Sequence, residues 1–582
     1  MKITALECID FYKADHRRQY PEGTEFVYSN FTPRSSRLYS GNSNTVVFFG
    51  LQGFIKWFLK DLWNDTFFLR DKEEVLNEYR QLMDHSLGKD AIPIEHIEKL
   101  WELGYLPLEI KALPEGSRVG MKVPVLTVRN THEKFFWLVN YLESVLSAEL
   151  WKSCTNATIA DEYKQIFLKY AIETGAPLDF VPFQGHDFSF RGMSGVYDAA
   201  SSGAAHLTSF VGTDTVPSIR YAANYYNADM SKELIGCSVP ASEHSVMCMG
   251  TKDSEIETFK RFITELYPTG IVSIVSDTWD FWKVITKYTV DLKEDILNRT
   301  PNEMGIAKTV FRPDSGNPVD ILCGTYGIKI EEFDSKSLSG SLEDHVEDFF
   351  VDEIIEEYSE DCGVGMFCDD NTFRLFRLDG DLFKVNFSIE IESSRQDRGD
   401  RLYFIENVKI ASIEEYSLTN EQKGAVECLW DIFGGTTTDE GYKVLNERVG
   451  LIYGDSITLE RAEAILKRLK DKGFASCNVV FGIGSYTYQY NTRDTFGFAM
   501  KATHGVVNGE DREIFKDPIT DSGTKKSAKG LLRVEKVNNE FVLFDQQSWL
   551  QEDQGELKTV FLDGGLTNET SLSEIRERLA NH

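Results

Sequence analysis

Six short apolar segments of the sequence each end in residues that could do chemistry. The clearest is Lys308–Pro318, KTVFRPDSGNP, where a β-branched run leads to Arg312 and Asp314. A buried parallel strand of an α/β enzyme has this pattern at the end that carries the site. The other five segments end in Asp214, in His186-Asp187-Phe188, in Asp277, in Asp455 and in Gly484-Ser485. Together the six segments predict one site ringed by strand ends.

The charged residues of these clusters suggest a phosphorylated ligand. Four basic residues lie on or next to the clusters, namely Arg191, Arg312, Arg493 and Lys501. If they meet, they would hold an anion such as pyrophosphate; ordinary ion pairs with Asp and Glu are the alternative. Three carboxylates end strands, namely Asp277, Asp314 and Asp455. They suit Mg²⁺ or ribose hydroxyls equally well.

His244 is the candidate nucleophile, in the stretch CSVPASEHSVM. Pro240 and Ser242 predict a helix start, which puts the imidazole in the first turn. That position favours a neutral imidazole and would stabilise a phosphoryl group attached to it. A histidine hydrogen-bonded in a turn is the alternative. Phe188 and Tyr12 could enclose an aromatic ring, although core packing also explains Phe188.

Composition limits the class of protein. The net charge of −31 over 582 residues argues against a nucleic-acid or anionic-membrane partner. Nine dispersed Cys without a C-x-x-C pattern indicate reduced thiols in a cytoplasmic protein. The start of the sequence lacks a signal-peptide pattern, and no apolar run approaches the roughly 20 residues of a membrane helix.

The chain is too long for one core, so we expect two or three domains. Strands and helices alternate in 151–324 and again in 426–495, which predicts an irregular parallel α/β barrel. At the start of 426–495 and within it, we expect helices at 421–434 and 458–472. Residues 331–425 contain 25 Asp and Glu against 9 Lys and Arg, a net charge of −16. We interpret 325–425 as an inserted acidic α+β module, and 1–150 and 496–582 as peripheral α+β regions.

Seven motifs in order resemble the nicotinamide phosphoribosyltransferase family of type II phosphoribosyltransferases. They are HDFSFRG, GTDT, SVPASEHS, IVSIVSD, RPDSGNP, YGD and the FGIGS…RD…K run. The resemblance extends from DFYKADHRRQYP to FKDPITD and omits about 325–425. It implies an α/β barrel with a second domain formed from both chain ends. It also implies a homodimer with shared active sites.

The resemblance implies an activity: nicotinamide and phosphoribosyl pyrophosphate give nicotinamide mononucleotide and pyrophosphate in NAD salvage. Mg²⁺ would be the cofactor, and ATP a co-substrate that acts through a phosphohistidine. His244 would be that histidine, oriented by Asp277, and Asp277 and Asp314 would contact the metal. The implied nicotinamide-binding residues are Phe188, Asp214, Arg312 and the partner subunit's Tyr12. The implied phosphoribosyl and phosphate residues are Arg34, Arg191, Gly454, Asp455, Gly484, Ser485, Arg493 and Lys501.

Two departures from the family pattern concern phosphate binding. The glycine-rich loop is GIGSY here instead of GSGGG-like. The family often carries an arginine just before the GD strand end, where this sequence has Gly450. Arg448 is the nearest substitute.

Three other functions compete with this one. Nicotinate phosphoribosyltransferase shares the architecture, but Asp214 favours the amide. A barrel aldolase or isomerase would need a Schiff-base Lys or a paired acid and base at strand ends. In a non-catalytic binding platform, the acidic module would bind a partner.

Overall fold

The six segments that end in reactive clusters form one six-stranded parallel sheet in the computed structural model of the chain. The structure describes residues 3–325, 330–338, 340–360, 371–397, 400–454, 456–515 and 528–581. The strands, in spatial order, are Gly212–Thr213, Gly185–Asp187, Val479–Ile483, Val449–Tyr453, Ala307–Arg312 and Gly270–Val275. Every neighbouring pair is parallel, so all carboxyl ends lie at one edge.

The extended segment Cys237–Ser242 connects the two outer strands of this sheet. Cys237 bridges Gly212 in parallel orientation, and Ala241 bridges Ser273 in the same way. Backbone hydrogen bonds of 2.7–3.0 Å accompany both bridges. The parallel α/β barrel expected from the sequence is confirmed, with this irregular segment joining its edges.

Two of the expected strands are much shorter than their apolar runs. In LDFVPFQGHD, residues Val181–Gln184 form a helical turn and only Gly185–Asp187 is strand. In TSFVGTD the strand is Gly212–Thr213 alone. Buried apolar runs of this length do not distinguish strand from helix, so periodicity could not locate these boundaries.

Helices surround the barrel and join it to the peripheral region. The longest, Glu143–Thr174, has 32 residues and spans about 48 Å. The domain boundary that we set at 150/151 falls inside it, so both regions share this helix. Within the described residues, the other α-helices of seven residues or more are Lys72–Leu87, Glu95–Leu103, Val196–His206, Val216–Tyr225, Glu255–Arg261, Leu342–Glu360, Ala425–Phe433, Leu459–Asp471 and Leu572–Ala580, and Ile55–Leu62 is a π-helix.

A seven-stranded antiparallel sheet combines both ends of the chain. Its strands, in spatial order, are Glu510–Glu513, Ala499–Val507, Thr24–Thr32, Leu126–Asn130, Leu108–Ala112, Lys558–Leu562 and Gly565–Leu566. The expectation of a second α+β domain formed from both chain ends is confirmed. The final helix Leu572–Ala580 begins with the capping box expected at Ser571 and Glu574.

The acidic insertion is a separate α+β layer. Its four strands, in spatial order, are Glu331–Phe333, Asn371–Leu378, Asp381–Asp397 and Asp400–Glu415. The helix Leu342–Glu360 packs on this sheet through Val346, Phe350 and Ile354, which contact Phe387 and other buried residues of the strands. The insertion therefore has its own hydrophobic core.

The two ends of the insertion meet at a contact between glycines. A Cβ on Gly424 would lie 2.2 Å from the backbone nitrogen of Gly324. Gly424 also has φ = 80°, a conformation that favours glycine. It splits the single helix expected at 421–434 into Asn420–Lys423 and Ala425–Phe433. None of the helices in the described residues is long and apolar enough to cross a membrane.

Candidate active site

His244 and Asp277 face each other at the carboxyl edge of the barrel. The Nε2 of His244 donates to Oδ1 of Asp277 at 3.3 Å. The Asp277 side chain is 5% exposed and that of His244 is 49% exposed. Because a carboxylate oxygen accepts, Nε2 carries the proton of this hydrogen bond. The result is a half-exposed histidine backed by a buried carboxylate.

His244 is the first residue of the helix His244–Met249, as the sequence indicated. The expected helix start at Pro240 and Ser242 is wrong, because these residues are extended and bond to the strand carrying Ser273. The Ser242 hydroxyl accepts from the Val275 backbone at 2.9 Å, which fixes the chain two residues before the histidine.

Asp277 also organises the turn after the next strand. Its Oδ2 accepts from the backbone nitrogen of Asp314 at 2.9 Å and from the hydroxyl of Ser315 at 2.5 Å. Arg312 donates through Nη2 to the carbonyl of Ser242 at 2.7 Å, and its Nε lies 3.5 Å from Oδ1 of Asp314. Three loops that are distant in sequence are thus bound to one another around His244.

Asp214 ends the shortest strand and is held by two donors. His186 Nε2 donates to its Oδ1 at 2.9 Å, and the Ser238 hydroxyl donates to the same oxygen at 2.6 Å. Burial opposes ionisation of Asp214, but these hydrogen bonds and the charges of His186 and Arg312 outweigh it and hold its pKa below the usual value. In the part of the chain that the structure describes, both side-chain hydrogen bonds end on Oδ1. Oδ2 therefore remains to accept from a ligand.

Phe188 lies beside this carboxylate and is not a residue of the hydrophobic core. Its ring centroid is 4.7 Å from that of His186, and the residue is only partly buried. A Cβ on Gly482 would lie 2.6 Å from the ring, so glycine on the adjacent strand makes room for it. The Phe188 ring is thus partly exposed and packs between His186 and the strand that carries Gly482.

The GIGSY turn meets the Arg191 loop. Gly484 precedes the short helix Ser485–Tyr488, and a Cβ on Gly192 would lie 2.4 Å from the Cβ of Ser485. Arg191 itself is exposed. This close approach places Arg191 and Ser485 on neighbouring loops at the same edge of the barrel.

A buried lysine supports these two loops. Lys152 Nζ lies 2.6 Å from Oδ2 of Asp198 and also donates to the side chain of Gln489. Gln489 in turn donates to the Ser194 hydroxyl at 2.7 Å. Sequence reasoning missed Lys152, since nothing distinguishes it from any other lysine in a long helix. Ser238 opens the SVPASEHS motif, which was the available signal for that residue.

The remaining candidates form a second group on the peripheral domain. Arg34 donates to the carbonyl of Gly497 at 2.6 Å, and burial and then the charge of Arg493 lower its pKa. Tyr12 is 58% exposed, and its pKa, raised mainly by burial, also responds to Arg493. Lys501 lies opposite Asn30 in the antiparallel sheet. Of the four cations, Arg312 and Arg191 belong to the barrel edge and Arg493 lies near Tyr12 and Arg34, whereas Lys501 lies on the strand Ala499–Val507.

The structure tests the expectation for Arg448 but not the one for Asp455. Arg448 cannot replace an arginine at the strand end, because it lies at the amino end of Val449–Tyr453 and donates to the carbonyl of Arg299 at 2.8 Å. Asp455 lies outside the described residues. Its neighbour Gly454 is described and packs directly on Asp314.

The carboxylates fit a resident metal ion poorly. Within the described residues, no group of three or more His, Cys, Asp or Glu side chains is placed to hold a metal. Both oxygens of Asp277 already accept hydrogen bonds, so Asp277 suits orientation of His244 better than direct ligation. Mg²⁺ that is bound together with a diphosphate needs few protein ligands, and among the described candidate carboxylates Asp314 lies beside Arg312.

Comparison with known proteins identifies the class of this site. The profile of the nicotinate phosphoribosyltransferase (NAPRTase) family matches residues 183–360 and 373–564, and that of the nicotinamide phosphoribosyltransferase N-terminal domain matches 4–89. The chain belongs to the nicotinate phosphoribosyltransferase family and is a phosphoribosyltransferase, an enzyme of the pentosyltransferase class. The motif resemblance omitted about 325–425, and we expected this insertion to be foreign to the family; that expectation is wrong, because the family match runs through most of the segment.

Two sequence relatives and one solved structure are similar to most or all of the chain. A nicotinamide phosphoribosyltransferase of Acinetobacter baylyi is 56% identical over 582 residues, which is 100% of this chain and 97% of the relative. One from Xanthomonas campestris is 29% identical over 583 residues, 97% of this chain and 96% of its own. The structure of human nicotinic acid phosphoribosyltransferase is 13% identical and covers 98% of this chain and 93% of its own, with a TM-score of 0.46. The resemblance inferred from the motifs is confirmed.

Proposed function

We propose that this enzyme joins nicotinamide to phosphoribosyl pyrophosphate, forming nicotinamide mononucleotide and pyrophosphate in NAD salvage. The observation that carries the proposal is that Asp214, fixed by His186 and Ser238, lies on the same histidine as the partly exposed ring of Phe188. The relative from Acinetobacter baylyi, similar over the whole chain, bears the name of this activity.

Asp214 would select the amide form of the pyridine. Its free Oδ2 would accept a hydrogen bond from the carboxamide NH₂, while Phe188 and the partner subunit's Tyr12 would stack on the ring. The carboxylate of nicotinate would instead face a like charge, at a cost of about 1–4 kcal/mol at surface-like dielectric. The low pKa of Asp214 supports this role, because the group stays ionised at neutral pH.

Catalysis at the sugar would be a displacement at the anomeric carbon through an oxocarbenium-like transition state. Pyrophosphate leaves with its electron pair as the pyridine nitrogen bonds to carbon. The protein needs only to align the reactants and stabilise the developing charge. Arg312 and Arg191 would face the phosphates, Gly484 and Ser485 the 5′-phosphate, and Asp314 the ribose hydroxyls or the Mg²⁺ bound with the diphosphate.

ATP hydrolysis would be coupled through His244. Its Nδ1, with Nε2 held by Asp277, would attack the γ-phosphorus and release ADP, and water would later release phosphate from the phosphohistidine. Asp277 keeps the imidazole in the nucleophilic tautomer and stabilises the charge on the ring. The accessible edge of His244 and the buried partner carboxylate support this role.

Completion of the site by a second subunit is part of the proposal. Tyr12 and Arg34 lie near Arg493, and Lys501 lies opposite Asn30 in the antiparallel sheet of the peripheral domain. They would reach the barrel of the partner in a homodimer, as the family resemblance implies. This assignment accounts for the exposure of Tyr12 and Arg493.

The test is product analysis with nicotinamide, phosphoribosyl pyrophosphate and Mg²⁺, with and without ATP. The proposal expects equal amounts of nicotinamide mononucleotide and pyrophosphate, and a higher yield with ATP together with release of ADP. Absence of the mononucleotide would refute it. A parallel reaction with nicotinate tests the nearest alternative, nicotinate phosphoribosyltransferase, which is the activity that gives the matching family its name. If nicotinate is the better substrate, Asp214 does not select the amide.

A further inference from the structure

Four residues form a closed ring of hydrogen bonds that joins two loops at the carboxyl edge of the barrel. The Nζ of Lys152 lies 2.6 Å from Oδ2 of Asp198, and this oxygen also accepts from the backbone nitrogen of Ser194 at 2.7 Å. The side-chain amide of Gln489 donates to the hydroxyl of Ser194 at 2.7 Å, and its oxygen accepts from Lys152. Because Lys152 lies on the helix Glu143–Thr174, the ring ties both loops to the helix that the barrel and the peripheral region share.

The ring lies next to two residues of the proposed phosphate site. Ser194 follows Arg191 by three residues, and the backbone nitrogen of Gln489 donates to the carbonyl of Ser485 at 2.7 Å. The two loops also touch each other directly, since a Cβ on Gly192 would lie 2.0 Å from Oγ of Ser485. This contact and the ring together fix the distance between Arg191 and Ser485. A change in the ring therefore changes the spacing of the two residues.

Lys152 supplies the positive charge of this ring. The residue is 9% exposed, and in the part of the chain that the structure describes it is the only ion-pair partner of Asp198. A second carboxylate is close, because burial and then the charge of Asp198 raise the pKa of Glu149 to about 7. Without Lys152, the two carboxylates would face each other with no cation in a poorly solvated place, which is strongly unfavourable. Movement of Asp198 would then release the backbone of Ser194, so the ring depends on Lys152.

We propose that Lys152 is a positioning residue that holds Arg191 and Ser485 at the spacing needed to bind the phosphoribosyl substrate. The inference rests on the proposed function and deepens it, because the phosphate-binding roles of Arg191 and Ser485 belong to that proposal. Lys152 itself would touch no substrate. The nicotinamide side of the site depends on other contacts, since neither donor to Asp214 belongs to the ring. Lys152 should therefore act on the affinity for phosphoribosyl pyrophosphate and not on that for nicotinamide.

Steady-state kinetics of the full chain, with each substrate varied in turn, tests this role. Lys152→Met should raise KM for phosphoribosyl pyrophosphate about tenfold and leave KM for nicotinamide nearly unchanged. Lys152→Arg keeps the charge and the hydrogen-bond donors and should recover most of the affinity. Asp198→Asn combined with Lys152→Met removes both charges, so the double variant should bind phosphoribosyl pyrophosphate better than Lys152→Met alone. An equal rise of both KM values would indicate a general structural defect and overturn the proposal.

Two further variants keep the test decisive. Gln489→Met opens the ring but leaves the pair of Lys152 and Asp198 intact, so it remains informative if Lys152→Met does not fold. It should raise KM for phosphoribosyl pyrophosphate about threefold. Lys169→Met removes an exposed lysine of the same helix that pairs with Glu463, and this matched control should have no effect.

The unmodified chain separates the two levels of the proposal. If it forms the mononucleotide, but KM for phosphoribosyl pyrophosphate is unchanged in Gln489→Met and in any folded Lys152→Met, the positioning role is wrong and the proposed function stands. If the unmodified chain forms no mononucleotide, the proposed function fails and the role of Lys152 fails with it.

Discussion

Gly454 and Asp314 are in direct contact at the carboxyl edge of the barrel. A Cβ on Gly454 would lie 1.9 Å from Oδ1 of Asp314. Position 454, which follows the strand Val449–Tyr453, must therefore have no side chain, because a Cβ there would collide with Asp314 in its position beside Arg312. This packing accounts for the glycine of the GD motif; a contact of Gly454 with the phosphoribosyl group stays a prediction.

Gly454→Ala should displace Asp314 and reduce kcat/KM by at least about 10²-fold, because a shift of about 1 Å at a reacting site has that effect. Gly450→Ala is the matched control on the same strand. Its Cβ would lie 3.2 Å from the flexible side chain of Lys308 and in ordinary contact with Val310 at 3.6 Å, so activity should change by a fewfold at most. Equal kinetic effects of the two substitutions would mean that Asp314 does not act in the reaction.

Asp214→Asn should lower kcat/KM for nicotinamide by about 10–100-fold. This factor corresponds to the free energy that a hydrogen bond to a charged group contributes. It should also raise the use of nicotinate, since the like charge is removed. Ser238→Ala keeps the carboxylate but removes one donor, and should cost only about threefold. Competition between the two pyridines measures both effects. Unaltered discrimination in Asp214→Asn would remove Asp214 from substrate selection.

His244→Ala should abolish the phosphoenzyme and ATP hydrolysis while leaving slow mononucleotide synthesis. Asp277→Asn should reduce phosphoenzyme formation about 10²–10³-fold, because the imidazole loses the partner that fixes its tautomer. Radiolabelled ATP followed by acid and alkali treatment detects a phosphohistidine. If the label persists on His244→Ala, another residue is the nucleophile.

The stability of the fold should fall as the pH is lowered from about 6.5 towards 4. Burial lowers the pKa of His206 to about 4, against 6.5 for an exposed histidine, and its Nδ1 accepts from the Tyr488 hydroxyl at 2.7 Å. In this window the unfolded chain binds a proton that the folded chain does not, so the free energy of unfolding decreases by about 1 kcal/mol per pH unit on acidification.

His206→Gln should remove this contribution and make the pH dependence of denaturant unfolding correspondingly shallower. Tyr488→Phe is the control, since it removes the hydroxyl but leaves the buried imidazole, and it should keep the slope. An unchanged slope in His206→Gln would show that His206 does not titrate between the two states.

The acidic insertion should be removable without loss of the barrel. Its ends meet where Thr325 donates to the carbonyl of Glu421 at 3.0 Å, so a short Gly/Ser linker can replace 326–420. The shortened chain should unfold cooperatively and retain transferase activity, as measured by circular dichroism and product formation. A folded but inactive protein would give the insertion a part in the reaction.

The sequence allowed prediction of the features that follow from local pattern. Strand ends that carry Asp214, Asp277 and Asp314 were recognised because an apolar run followed by polar residues is a local signal. The alternation of strands and helices indicates parallel strands, and the carboxyl ends of parallel strands lie at one edge of a sheet. The position of all six runs at one edge was therefore predictable. The capping box at Ser571 and the separate acidic layer were predictable for the same reason.

What sequence reasoning missed depends on contacts between distant segments. The two donors to Asp214 come from positions 186 and 238, and Lys152 supports loops at 198 and 489. No spacing rule links such positions. Arg448 was assigned from its distance along the chain, but successive residues of a strand are about 3.3 Å apart, and it lies at the wrong end of the sheet.

The most direct test of the central claim is a crystal structure of the enzyme with nicotinamide mononucleotide and pyrophosphate. The account predicts a homodimer with the pyridine between Phe188 and the partner subunit's Tyr12. The amide nitrogen should lie within hydrogen-bond distance of Asp214, and the 5′-phosphate at Gly484 and Ser485. A nucleotide bound away from the barrel strand ends, or one whose amide points away from Asp214, would contradict it.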